Sequence, residues 1–237
     1  MMIGKLLISD FLKIKRKGFW LLTFLGPMGV IALQMVNYGV RKEYLLQQSE
    51  DDWGYYLTNV SSFTPLALVL GIVILTSFMV SVENETNAWK QLIALPVSKM
   101  AVYLSKFTVL SWLLFLSSLL LMIFTYSYGV YLDLGANIPY DALLMKSIYP
   151  FFAAIPILAL QLWIATVSQN QGIPITTGIL GVIFTYSAFT LPDWMIWKWP
   201  TLMNEWDDPI INVILGISIG CLVYMIGMID FTRRDVK

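Results

Sequence analysis

Six stretches of this chain, residues 19–39, 62–82, 107–130, 147–167, 172–191 and 210–229, are each 20 to 24 residues long and contain no Asp, Glu, Lys or Arg. About 20 apolar helical residues cross a hydrocarbon layer roughly 30 Å thick. Inside that layer the backbone must satisfy its own hydrogen bonds, which a helix does within one segment. The rest of the composition agrees. Only 13% of the 237 residues are charged and 58% are hydrophobic, against about 25% and 45–50% in soluble domains, and the mean hydropathy is +0.72. Fifteen basic and fifteen acidic residues balance. A soluble globule, a disordered chain and a nucleic-acid binder relying on positive charge are excluded. The expectation is an all-α membrane protein of six transmembrane helices forming a single domain over 1–237, with a tight hairpin at Ser168 to Gln171.

Basic residues in short connections set orientation. With the N-terminus cytoplasmic, eleven fall inside: Lys5, Lys13, Lys15, Arg16, Lys17, Lys90, Lys99, Lys106, Arg233, Arg234 and Lys237. Four fall outside: Arg41, Lys42, Lys146 and Lys198. Five acids lie inside and ten outside. Both termini are therefore expected in the cytoplasm. The first span is too long for a signal-peptide core and reads as a retained anchor.

Two inner segments carry their own periodicity. Ile3, Leu6, Leu7, Phe11 and Ile14 recur at helical spacing beside a polar stripe of Lys5, Ser9, Lys13 and Arg16. This predicts an interfacial amphipathic helix over 1–18, its cations near anionic lipid. In the second segment, 83–106, Asn84 or Thr86 is expected to cap a short helix favoured by Glu83 and Glu85. Trp89, Leu92, Ile93 and Val97 then make one apolar face, and Pro96 interrupts it. That face must be buried, either on lipid and this protein's own inner ends or on a cytoplasmic partner.

The outer connections 40–61 and 192–209 are acidic and aromatic, with Glu50, Asp51, Asp52 and Trp53 in one, and Trp194, Trp197, Trp199, Trp206, Asp207 and Asp208 in the other. Tryptophan anchoring at the membrane interface is one reading. Attraction of cationic amphipathic molecules by paired acids and indole faces is the other. Within the spans, Gly216 and Gly220 suit close helix packing, and Pro27, Pro156 and Pro174 are expected to kink their helices. Gln34, Gln161 and Asn212 are expected to hydrogen-bond between helices.

Histidine is absent and Cys221 stands alone, which excludes His-ligated metal, imidazole relays and an internal disulfide. No catalytic or metal-binding set emerges. The absence of ionisable residues at mid-span weakens a proton-coupled carrier, and no Walker A loop is present. Any energy source is expected on a separate cytoplasmic protein.

The residues resemble the permease subunits of type 2 ABC exporters, in which six-span subunits pair with separate ATPases. The resemblance rests on the basic N-terminal helix and on a segment after the second span, where Glu83 or Glu85, Leu92, Pro96, Val97, Ser98, Lys99 and Lys106 match. Ala88-Trp89 replaces the usual Gly-Thr pair. The resemblance implies a short cytoplasmic coupling helix docking on an ATPase, with Glu83, Glu85, Thr86, Trp89, Lys90, Leu92 and Pro96 as its residues. It implies two ATPase subunits holding ATP and Mg, a second identical or related permease, membrane lipid as surroundings, and no cofactor on this chain. Size, short outer loops and the Leu7, Asp10, Lys13, Lys15, Arg16 opening are most similar to lantibiotic and bacteriocin immunity permeases of bacterial cytoplasmic membranes. The competing reading is a non-transporting scaffold or sensor that recruits a partner through the inner helix.

Overall fold

The computed structural model describes residues 11, 18–85, 98–168 and 170–234, the side chains of 83–85 excepted. The described residues form seven α-helices and two 3-10 turns: α1 (Phe19–Leu46), α2 (Asp52–Glu85), α3 (Lys99–Tyr131), α4 (Tyr140–Ala153), α5 (Ile155–Val167), α6 (Gly172–Tyr186), turns at Ala188–Thr190 and Trp199–Thr201, and α7 (Pro209–Arg233). Five segments are long and apolar enough to cross a membrane: α1, α2 to Val82, α3, α4 with α5, and α7. The apolar α6 is shorter. The expected interfacial helix falls outside the described residues except for Phe11 and Gly18, and positions 86–97 also fall outside them.

Most helices outrun the apolar stretches that announce them, but α6 ends at Tyr186, short of the expected span 172–191, because the chain turns into the 3-10 segment Ala188–Thr190. The 40–61 connection, expected as a loop, is helical except for 47–51. Hydropathy marks where a helix can meet lipid, but polar residues extend it freely, and Arg41 donates to Asn37 one turn back at 2.7 Å. The fourth span likewise begins at Tyr140. The expected cap at Asn84 is corrected, because α2 runs on through Glu85 and Asn84 is inside it. No glycine or proline lies between Ile72 and Glu85 to stop the helix.

The prolines act differently from one another. α1 keeps helical dihedrals through Pro27, and its non-helical residue is Arg41 (φ −131, ψ 27). Pro174 sits in the first turn of α6, where a missing N–H is harmless, and produces no kink. Pro156 does interrupt its span: α4 ends at Ala153 and α5 starts at Ile155. Lacking an N–H, Pro156 cannot bond the carbonyl of Phe152.

α7 lies along that interruption. A Cβ on Gly216 would stand 2.5 Å from Phe152 O and 2.6 Å from Ala153 Cα, and one on Gly220 would stand 2.5 Å from Ile155 Cγ2. Only hydrogen fits there. Gly227 continues the same close approach, beside Tyr103 Oη and Trp163. Elsewhere α1 packs against α2 and α3, and α6 packs against α2.

Buried polar groups tie the elements together. Gln34 Nε2 donates to Asn59 O at 3.1 Å, Gln161 Nε2 to Pro174 O at 2.6 Å, and Asn212 Nδ2 to Trp199 O at 3.2 Å. One apolar core, around Val69, Ile72, Leu110, Leu113, Leu158 and Leu162, joins α2, α3 and α5. A second, around Tyr38, Trp53, Tyr56, Leu57, Leu132 and Leu143, fills the end where α1 passes to α2.

Candidate functional site

The three site expectations fall in different parts of the fold. Glu83 and Glu85 belong to the last turn of α2, while Thr86, Trp89, Lys90, Leu92 and Pro96 lie outside the described residues. Immediately after them, Ser98 caps α3, its Oγ accepting from Ala101 N at 3.2 Å. Lys99, the first residue of α3, donates to the end of α7, at 2.6 Å to Arg234 O and 3.5 Å to Thr232 O. A cation at the C-terminal carbonyls of a helix is favourable by charge as well as by hydrogen bonding. Asp230 of α7 accepts from Trp163 Nε1 of α5 at 2.9 Å and pairs with Arg234 at 2.9 Å. The start of α3 is thus linked through α7 to α5. Replacing Lys99 by alanine is expected to speed amide exchange over 228–234 about fivefold, the equivalent of about 1 kcal/mol. Arginine at that position should restore protection.

The acidic and aromatic residues form two clusters, one at the start of α2 and one at the start of α7. Among the described residues, no hydrogen bond or ion pair joins them. Asp51 Oδ1 accepts from Gly54 N at 2.9 Å, and Asp208 Oδ1 from Ile210 N at 2.9 Å. Both carboxylates therefore serve helix starts. Trp53 is 3% exposed and donates to Gly135 O at 3.1 Å, whereas Trp206 is 59% exposed. The indole faces open to the surroundings are those of Trp206 and Trp194, not Trp53. Asp52 is the first residue of α2, and Asp207 precedes the α7 cap.

The α6–α7 connection folds back on itself. Asp193 pairs with Lys198 at 2.5 Å and accepts from Glu205 N at 2.9 Å, and Trp199 Nε1 reaches Asp193 O at 2.6 Å. The Lys198 contact and then the Glu205 amide hold the Asp193 carboxyl below its usual range. A depressed folded pKa means this contribution is present at neutral pH and is lost as pH falls through that pKa. Protection of 193–205 against amide exchange is therefore expected to weaken below about pH 4, and Asp193→Asn should flatten that dependence.

Sequence reasoning did not find one large concavity. A groove of about 710 Å³ runs between α1, α2 and α6. Gly29 and Leu33 of α1, Phe63 and Leu70 of α2, and Ile183 and Tyr186 of α6 line it, and its surface is overwhelmingly apolar. Gly26, Gly29 and Gly71 supply its depth. The usable signal was glycine on two apolar helices, which is weak because glycine is common in such helices.

A family described as ABC-2 family transporter protein matches residues 6–187. The chain belongs to the ABC-2 transporter family. No curated protein and no solved structure matches it. The match runs from the N-terminal segment through the end of α6, so both the stretch after α2 and all three walls of the groove lie within the ABC-2 region. ABC-2 proteins are membrane permeases, generally non-catalytic, that normally work with a cytoplasmic ATPase. The several apolar helices make this ABC-2 protein a multi-pass membrane protein.

Proposed function

We propose that the chain is the permease subunit of an ATP-driven exporter, moving a hydrophobic or cationic amphipathic cargo out of the membrane. The family match over 6–187 carries this reading. The groove supports the apolar half of the cargo description, since its wall residues Leu33, Phe63, Leu70, Ile183 and Tyr186 are exposed along one side of the bundle. An antimicrobial peptide of the lantibiotic kind, expelled in self-immunity, is the cargo we favour. In this reading 1–237 is one transmembrane domain in a bacterial cytoplasmic membrane, with both termini cytoplasmic. The stretch Glu83 to Pro96 docks on the ATPase. Two ATPase subunits hold ATP and Mg, and a second permease, identical or related, completes the transporter.

The test is recovery of the partner. The chain, purified from its host membrane in mild detergent, is expected to bring down a Walker-motif ATPase and to support vesicle uptake of cationic peptide only with ATP. Absence of any ATPase from the purified material would sink the exporter reading in favour of a scaffold.

A further inference from the structure

Beside the groove, and sharing Leu66 and Tyr186 with it, is a crevice of about 230 Å³ between α2, the end of α6 and the turns that follow. Five Ser and Thr hydroxyls line it: Thr58, Ser61, Ser62, Thr185 and Thr201. Each lies against a main-chain carbonyl. Thr58 donates to Gly54 O at 2.8 Å, Ser61 and Ser62 to Thr58 O at 2.9 and 3.0 Å, Thr185 to Gly181 O at 3.0 Å, and Thr201 to Lys198 O at 2.6 Å. A carbonyl only accepts, so the direction of all five bonds is fixed by chemistry. A hydroxyl has one proton and two lone pairs. With the proton committed, each oxygen has only acceptor capacity left for the crevice.

Two further observations point the same way. Pro65 also lines the crevice, and its missing N–H leaves the Ser61 carbonyl without its helical partner. Lys146 of α4 places Nζ 2.8 Å from Thr58 Oγ1, so this acceptor set already holds one ammonium. The rings of Tyr186 and Phe189, 72% and 76% exposed, flank the opening and offer faces to a cation.

We propose that the crevice binds the protonated amine of an amphipathic cargo, its N–H groups donating to the hydroxyl oxygens while its apolar part lies in the adjoining groove. This rests on the exporter reading and names the class of cargo. An anionic head group would meet lone pairs on most of the lining. A quaternary ammonium would bring charge without a proton to donate.

The probe is a diazirine-bearing dodecylammonium, cross-linked to the full chain in nanodiscs of neutral phosphatidylcholine and mapped by peptide mass spectrometry. Labelling is expected in 58–66 and 185–203. Dodecylammonium should displace it, dodecyltrimethylammonium about tenfold less well, and dodecyl sulfate not at all. Ser62→Ala with Thr185→Val should weaken labelling about tenfold. Lys146→Met, which frees the Thr58 oxygen, should strengthen it.

Equal displacement by the trimethyl compound would overturn the donor requirement. Labelling spread evenly over lipid-facing helices, or displaced by dodecyl sulfate, would overturn the site. No ATPase is needed in this experiment. Failed labelling alongside a recovered ATPase therefore sinks the crevice alone, and labelling without a recoverable ATPase sinks the exporter reading alone.

Discussion

Valine at position 216 is expected to leave almost no folded protein. The atoms facing Gly216 are Phe152 O and Ala153 Cα, and a Cβ would meet them at 2.5 and 2.6 Å. These are backbone atoms where α4 gives way to α5, so no rotamer change relieves the clash. Overpacking a well-packed site by even a methyl group costs about 1–3 kcal/mol. Alanine should therefore lower the melting temperature clearly, and the two further methyls of valine should prevent α7 from seating. The measurement is monodisperse yield and thermal melting in detergent, with Gly39→Ala as control because a Cβ there meets nothing within 4 Å. Wild-type yield and melting for Gly216→Val would mean that α7 does not seat as described.

Loss of the ATPase is the expected result of changing Trp89 to alanine and Leu92 to aspartate together. At helical spacing Trp89 and Leu92 share an apolar face that continues to Ile93 and Val97. Buried aromatic and aliphatic anchors at an interface commonly cost about 2 kcal/mol or more each when truncated. The aspartate adds an unpaired charge to a face that must lose water. Affinity should fall by more than about 30-fold, read as ATPase recovered per permease after purification. Gln91→Ala, off that face, should retain it. Full retention by the double variant would remove the segment from the docking role.

The spans were legible because exclusion of charge from lipid is a strong rule, so four apolar stretches each lie within one helix and 147–167 within two joined end to end, while 172–191 outlasts α6, which ends at Tyr186. Helix ends were less so, since Lys42 to Leu46 and Asp52 to Ser61 are polar enough to be loop by hydropathy yet remain helical. Of the three proline kinks expected, the break beside Pro156 appears, while Pro174 starts its helix. Position along a helix decides what a missing N–H does, and sequence alone gives that position only to within a turn or so. The contrast between Trp53 and Trp206 is tertiary: both stand among acids, and only packing distinguishes them. Gly227 lay seven residues from Gly220, outside the small-xxx-small spacing. The crevice hydroxyls come from α2, α6 and a turn far apart in sequence, so no local pattern announced them.

The brevity of α6 has a consequence for the membrane itself. Its 15 residues rise about 22 Å at 1.5 Å each, several ångströms less than a hydrocarbon layer of about 30 Å. Lipid accommodates a short helix by thinning beside it. Because α6 forms one wall of the groove, the dimple falls at the groove's own edge, where leaflet and aqueous face draw together. A molecule leaving the bilayer there is expected to cross less oil than beside the longer helices α1, α2, α3 and α7.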